Sequence, residues 1–449
     1  MRAVSGTASP SPEVESPPES AEQPPDVTPL VEPAQVTPLV EPADGVPPVI
    51  ETAAALAACV AAFGRGSGPV AVDAERASGY RYGQRTYLVQ LRREGAGTAL
   101  IDPIAVPDLS TLSAALDGFE WILHAASQDL PGLIPLGLRA SVVFDTELAA
   151  RLLGMERVGL AAVVAEILGL GLAKEHSAVD WSTRPLRPEW LRYAALDVEV
   201  LIELRVELGQ RLDDAGKGEW ARQEFEAVRL APPPAPRVDP WRRTSGMHVL
   251  RDPRALAVVR ELWTTREDTA ARRDISPGRV LPDAAILAAA QALPRSVVEL
   301  TQLPAFSGKG QRRRASQWQG AIDRALALPE SALPSRRGPH TDAPPPARSW
   351  PDRDPAAARR LAVARASIAE LALRYHIPAE NLLQPDLLRR LCWTPPAHLD
   401  VGSIDERLSS GGARQWQTGL VAAPLADALA SAPSAPSAPS GPSPSPESG

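Results

Sequence analysis

Val70-Ala-Val-Asp-Ala-Glu75 is the stretch on which the reading of this chain turns. It alternates apolar, β-branched residues and then breaks into two carboxylates two positions apart. Side chains alternate faces along a strand, so Asp73 and Glu75 point the same way. Two acids on one face repel each other. A fold holds them there when a divalent cation sits between them or when one acid keeps its proton. A lone D-x-E is short and common, and at an exposed strand end it reads as two solvated acids. The rest of the chain has to choose between these readings.

Upstream of the strand, Ala53–Phe63 is alanine-rich and helical, and Gly64-Arg-Gly-Ser-Gly68 breaks it. This glycine run precedes the strand, whereas a dinucleotide fingerprint follows one, so no nucleotide cofactor is expected. Downstream, Tyr87–Leu91, Thr98–Asp102, Glu120–His124 and Val142–Phe144 read as strands. Helical patterns cover Leu109–Leu116, Ser127–Leu138 with Ser127 as N-cap, Thr146–Leu153, Leu160–Leu168 and Glu189–Leu208. Strands come first and then alternate with helices. The expectation is an α/β domain with a mixed sheet flanked by helices, followed by one or two small all-α bundles.

Proline sets the domain boundaries. The chain has 449 residues and 48 prolines, clustered at both ends and in two internal stretches. Residues 1–46 read as a disordered tail, in which VTPLVEPA occurs at 27–34 and again at 36–43. An α/β domain over 47–228, a linker at 229–245, a helical bundle at 246–328, a second linker at 329–355, a second bundle at 356–430 and a tail at 431–449 complete the plan. Ile275-Ser-Pro277 before Val280-Leu-Pro-Asp283 echoes Ile377-Pro378 before Leu382-Leu-Gln-Pro-Asp386, which makes the second bundle a divergent copy of the first. The net charge of -7 gives no global nucleic-acid signature. Cys59 and Cys392 lie far apart, which fits a reducing cytoplasm rather than a disulfide scaffold. The six scattered histidines argue against a structural zinc. No stretch reaches about 18 apolar residues, so no membrane span is expected.

Asp129, in His124-Ala-Ala-Ser-Gln-Asp129-Leu, follows the fourth strand, and Tyr193 and Asp197 share a face of the last helix of the α/β domain. Asp73, Glu75, Asp129 and Asp197 can cage two divalent metals roughly 3.5–4 Å apart, as phosphodiester hydrolysis requires. Hard oxygen ligands suit Mg²⁺ or Mn²⁺. Tyr193, one turn from Asp197, can hold the attacking water. An unperturbed pKa near 10 makes it an orienter rather than a base.

Four segments together resemble ribonuclease D within the DEDDy class of 3′-5′ exonucleases, whose fold is ribonuclease H-like. They are Val-Asp73-Ala-Glu75 with Tyr-Leu-Val-Gln90-Leu, His124-Ala-Ala-Ser-Gln-Asp129-Leu, Trp181-Ser-Thr-Arg-Pro185-Leu and Tyr193-Ala-Ala-Leu-Asp197. Residues 246–328 resemble the helicase-and-ribonuclease-D C-terminal (HRDC) domain, and 356–430 resemble it faintly. The resemblance implies metal ligands Asp73, Glu75, Asp129 and Asp197, with Tyr193 positioning water. It implies removal of nucleoside 5′-monophosphates from RNA 3′ ends, with structured RNA such as a tRNA precursor as substrate. A DNA-directed exonuclease and a degenerate nucleic-acid-binding scaffold are the alternatives. Ala74 stands where relatives often carry Thr, and His124 where many members of the wider superfamily carry Asn. Asp145 is expected to cap the helix that follows it. RNA contacts are expected from Tyr80, Arg81, Tyr82 and Arg85 through stacking and phosphate binding, and from His124, Trp181 and Arg184 along the substrate path. Lys309, Arg312, Arg313 and Arg314 form the most basic run and are expected on the RNA phosphates. Lys174 and His176 fall in a loop before the tryptophan segment.

Overall fold

The computed structural model describes residues 36–172, 176, 178–233, 235–338 and 342–431. Both termini as far as residue 35 and from 432 onward, including the first VTPLVEPA copy, lie outside the described residues.

The described residues contain eight strands: β1 (Thr37–Pro38), β2 (Val49–Ile50), β3 (Ser67–Arg76), β4 (Thr86–Glu94), β5 (Gly97–Ile101), β6 (Glu120–Leu123), β7 (Val142–Asp145) and β8 (Leu170–Gly171). Six of them form one mixed sheet in the order β2-β5-β4-β3-β6-β7. The β3–β4 and β4–β5 pairs are antiparallel, and β2–β5, β3–β6 and β6–β7 are parallel. The first motif strand therefore sits centrally, with β4 on one side and β6 on the other. Its side-chain alternation divides two cores. Val70, Val72 and Ala74 pack with Phe63, Leu112 and Leu133 on one face. Ala71 packs with Ile122, Phe144 and Leu201 on the other. Asp73 and Glu75 continue the Ala71 row, so period two aims both acids at the layer that contains the Pro188–Asp214 helix.

That helix runs 27 residues, past the expected end at Leu208, because the apolar row Leu204, Leu208, Leu212 extends it. Gly216, at φ +67°, then turns the chain into a helix at Gly218–Arg229 that the sequence pattern did not single out. Asp145 caps the Thr146–Leu152 helix as expected, accepting from the Glu147 and Leu148 N–H groups. It also accepts from the Ala125 and Ala126 N–H groups, so one carboxylate serves two helix starts. Ser127 is therefore not the cap of the Ala126–Leu133 helix; the cap position is Ala125, in left-handed backbone at φ 62°.

The tail expectation needs correction over 36–46. Here β1 pairs with β8 in parallel, Thr37 against Leu170 and Pro38 against Gly171. Two prolines per repeat rule out a central strand, but an edge pairing of two residues leaves their missing N–H groups outside the ladder.

The two helical regions repeat one path at a constant offset of 102 residues. Asp252 and Asp354 cap helices Pro253–Arg273 and Pro355–Tyr375. Asp274 and His376, both with φ near +50°, end them. One-turn helices follow at Pro277–Val280 and Ala379–Leu382, then helices from Asp283 and Pro385. Their packing differs. Residues of 241–325 enclose a core of their own around Leu262, Phe306 and Trp318. The second region shares one continuous core with the α/β domain, joining Leu361, Leu391 and Val421 to Val198, Leu204 and Phe225.

The joint is polar as well as apolar. Glu224, buried, accepts from Arg414 Nη2 at 2.6 Å and from Trp416 Nε1 at 2.9 Å. Trp220 stacks on Trp416 with centroids 5.1 Å apart. Lys217 Nζ donates to the carbonyls of Leu152 at 2.6 Å and Tyr375 at 2.8 Å. Glu224→Ala strands the Arg414 guanidinium in this joint and is expected to cost about 3 kcal/mol in urea unfolding. Glu219→Ala, at an exposed pair on the same helix, is expected to leave the urea midpoint nearly unchanged.

Candidate active site

β3 brings Asp73 and Glu75 to the mouth of the sheet, and the first half of the Pro188–Asp214 helix crosses them with Tyr193 and Asp197. One carboxylate oxygen from each of Asp73, Glu75 and Asp197 can be chosen so that all three lie within 4.8 Å of one another. Asp129, on the Ala126–Leu133 helix, stands beside this trio rather than within it, and Arg76 Nη2 lies 3.6 Å from its carboxylate. Glu75, Asp129 and Asp197 are buried.

Burial and mutual repulsion set the electrostatics. Burial pushes Asp129 up to about 8, and the Asp73 charge adds to the rise. Glu75 is raised well above the usual carboxylate range by burial and then by Asp73, Asp197 and Asp129. Asp197 is raised by burial and then by Asp73, against the Tyr193 hydroxyl, which favours its charged form. Asp73 is raised by burial. Tyr193 is pushed up by burial and by the Asp197 and Glu75 charges, so its hydroxyl keeps its proton and acts as a donor.

Gln90 is the neighbour that sequence reasoning left without a role. It stands directly opposite Asp73 in the β3–β4 register and donates from Nε2 to Asp73 Oδ2 at 3.2 Å. A register shift between Glu75 and Arg76 sets this pairing; counting back from the Arg76–Thr86 pair would have placed Val89 there instead. Arg76 also donates from Nη1 to the Gln128 carbonyl at 2.5 Å, which ties the end of β3 to the second motif. A cavity of about 470 Å³ lined by Glu75, Arg76, Ser78, Gln84 and Gln128 opens on this side.

The structure sorts the expected RNA contacts. Trp181 is completely buried against Trp190, so its ring is out of reach of RNA. Arg184 is committed to the fold: its guanidinium meets both oxygens of buried Asp102, at 2.6 and 2.8 Å, and the carbonyls of Tyr87 and Trp181. His124 hydrogen-bonds Thr146 Oγ1 through Nδ1 at 2.9 Å, and burial lowers it to about 4, so it is neutral at pH 7. Tyr80 carries the Arg279 guanidinium 4.1 Å above its ring, and Arg81 faces Asp274 at 3.5 Å. These two residues thus meet the accessory domain. Tyr82 and Arg85 stay exposed on the same loop. Lys309, Arg312 and Arg313 are exposed and Arg314 half-buried. Gln311, within their run, donates to the Val280 carbonyl at 2.9 Å, next to Arg279. His176 packs edge-on to Tyr193 at 5.9 Å, and Lys174 lies outside the described residues.

Residues 48–213 match the family model described as 3′-5′ exonuclease, residues 255–322 the HRDC domain, and residues 343–429 the 3′ to 5′ exonuclease C-terminal domain. The ribonuclease D of Acidiphilium cryptum is 30% identical over 77% of this chain and 86% of its own length. That of Escherichia coli is 31% identical over 59% of this chain and 71% of its own. The chain belongs to the ribonuclease D family. It is a 3′-5′ exoribonuclease, a hydrolase. A protein from Bifidobacterium adolescentis of known structure is 40% identical, with a TM-score of 0.81 over 88% of this chain and all of that one. Escherichia coli RNase D, described as an exoribonuclease involved in structured RNA processing, is 26% identical with a TM-score of 0.62, over 86% and 99% of the two chains. The segment expected to be a second HRDC-like bundle thus matches a separate family model while repeating the path of the first.

The Arg184–Asp102 pair gives a test that separates fold from RNA contact. Burial opposes ionisation of Asp102, but the hydrogen bonds from Arg184 outweigh it and lower its pKa. A depressed carboxyl contributes stability above its unfolded value near 3.9 and loses it as pH falls through the folded value. Arg184→Ala is expected to cost about 3 kcal/mol at pH 7 in chemical unfolding, and Asp102→Asn to remove this contribution to the loss of stability below about pH 4. Neither should change the salt dependence of RNA binding.

Proposed function

We propose that the chain trims RNA 3′ ends one nucleotide at a time by metal-dependent hydrolysis, with Asp73, Glu75, Asp129 and Asp197 holding two divalent ions. The observation that carries this reading is the trio of carboxylates with oxygens within 4.8 Å, two of them buried and Asp73 half-buried, with Tyr193 lining the same cavity as Asp197. Three acids raised by burial, and Glu75 and Asp197 also by neighbouring carboxylates, favour a cation between them, and the donors are all hard oxygen, which suits Mg²⁺ or Mn²⁺. Bound divalent ions would supply an activated water and offset charge on the leaving oxygen.

The chain's own residues divide the remaining work. Gln90 fixes the rotamer of Asp73 through its amide. Arg76 holds the second-motif backbone and balances part of the Asp129 charge. Tyr193 keeps its proton and donates, so it orients a water or a phosphate oxygen rather than deprotonating anything. The accessory domain supplies exposed cations at Lys309, Arg312 and Arg313 for the phosphates of a structured RNA such as a tRNA precursor. The products are nucleoside 5′-monophosphates.

On a 3′-tailed RNA with Mg²⁺ or Mn²⁺, stepwise shortening is expected from the wild type and none from Asp73→Ala. Tyr193→Phe is expected to slow it by about 10- to 1,000-fold, the scale of a lost positioning contact. Faster shortening of a matched DNA would move the substrate to DNA. Binding without turnover under either metal would leave a nucleic-acid-binding scaffold.

A further inference from the structure

The second VTPLVEPA copy reaches the active site. Thr37 and Leu39 donate their N–H groups to the carbonyls of Gly169 and Gly171, at 2.8 and 3.0 Å. Ala43 donates its N–H to Glu199 Oε1 at 2.9 Å. Between these anchors Glu41 meets Arg192 Nε with both oxygens, at 2.9 and 3.0 Å. Arg192 directly precedes Tyr193 on the helix. Leu39, Val40, Leu172, Arg192, Tyr193 and Asp197 line one cavity of about 250 Å³. One part of its wall is apolar, one part is a guanidinium, and a third part belongs to the acidic site. Val40 stays 67% exposed at its edge.

We propose that this cavity is a nucleotide subsite in which Arg192 binds a phosphate, and that Glu41 occupies the guanidinium until the phosphate arrives. The inference rests on the exoribonuclease reading above. A guanidinium takes a carboxylate and a phosphate in the same forked geometry, so one can stand in for the other. The pair is weak because both partners face solvent, with side chains 42% and 60% exposed for Arg192 and Glu41. A phosphodiester brought to the neighbouring acids arrives at high effective concentration and displaces it. Leu39, Val40 and Leu172 then give the sugar or base an apolar wall.

The test uses the full chain with Asp73→Ala, so that RNA survives, and Glu32→Gln, so that the identical upstream copy cannot supply the same carboxylate. A labelled single-stranded oligoribonucleotide is titrated by fluorescence anisotropy and competed with adenosine 5′-monophosphate. Glu41→Gln is expected to tighten both ligands by about two- to fivefold, the range of an exposed ion pair released. Arg192→Ala is expected to weaken both by more than that. The double substitution should match Arg192→Ala alone, because Glu41 acts only through Arg192. Unchanged binding in Arg192→Ala, or weaker binding in Glu41→Gln, overturns the subsite. A chain with Asp73 intact that fails to shorten RNA overturns the exoribonuclease reading instead, so the two failures are distinguishable.

Discussion

Like charges held close together and out of water are the constraint around which this fold is arranged. Asp73, Glu75 and Asp197 bring oxygens within 4.8 Å with Glu75 and Asp197 buried and Asp73 half-buried, and each carboxyl is driven upward as a result. An uncompensated set of this kind costs free energy in every conformation that buries it. The structure meets that cost with rigidity. β3 is hydrogen-bonded on both flanks, Val70, Ala71 and Val72 before the first acid are fully buried, and the helix that delivers Asp197 is anchored along 27 residues. Arg76 and Gln90 are the polar neighbours that steady the acids without neutralising them.

The two helical regions show how one path can be attached in two ways. Both dock on the exonuclease domain through the corner where the first long helix ends in left-handed backbone. At the first corner, Asp274 accepts from the Tyr82 N–H, and Ser276 donates its N–H to the Tyr80 carbonyl at 2.9 Å. At the second corner, the Tyr375 and His376 carbonyls receive Lys217. The first corner meets a loop, and its domain keeps a private core. The second is followed by a continuous apolar joint, so this region belongs to the exonuclease core in energetic terms. Motion is therefore easier at the first than at the second. The loop it grips runs directly out of the Asp73–Glu75 strand, so Tyr80 and Arg279 join the accessory domain to the segment beside the acidic site.

Much of this was legible in the sequence, for identifiable reasons. Period-two alternation in Val70–Glu75 gave the strand and the shared direction of both acids. The i, i+4 spacing gave the Tyr193–Asp197 pair. Asp145 read correctly as a cap because Asp before Thr-Glu has a local partner geometry. The failures share a cause: they depended on contacts between residues far apart in the chain. Trp181 and Arg184 look like ligand-binding residues by type, and only the tertiary fold shows one ring enclosed and one guanidinium spent on Asp102. In the sequence echo, Pro277 and Asp283 are six residues apart whereas Pro378 and Asp386 are eight apart, yet backbone landmarks such as Leu281 and Leu383 keep a strict offset.

The proline-rich repeat is the most instructive miss. Composition argued that its segment gains too little apolar burial to order itself, and that argument holds for an isolated chain. It fails where a surface already offers unpaired backbone groups. β8 presents carbonyls at Gly169 and Gly171, and each donor on the strap satisfies one of them. Pro42 is buried, and Leu39 packs against the main core, so the apolar gain is small but placed next to the polar anchors. Exposed pairs such as Glu41–Arg192 add little on their own. Order here comes from a few specific contacts adding up on a preformed edge. Such an edge exists only once the rest of the sheet-and-helix domain has folded, so no window of local sequence could have announced it.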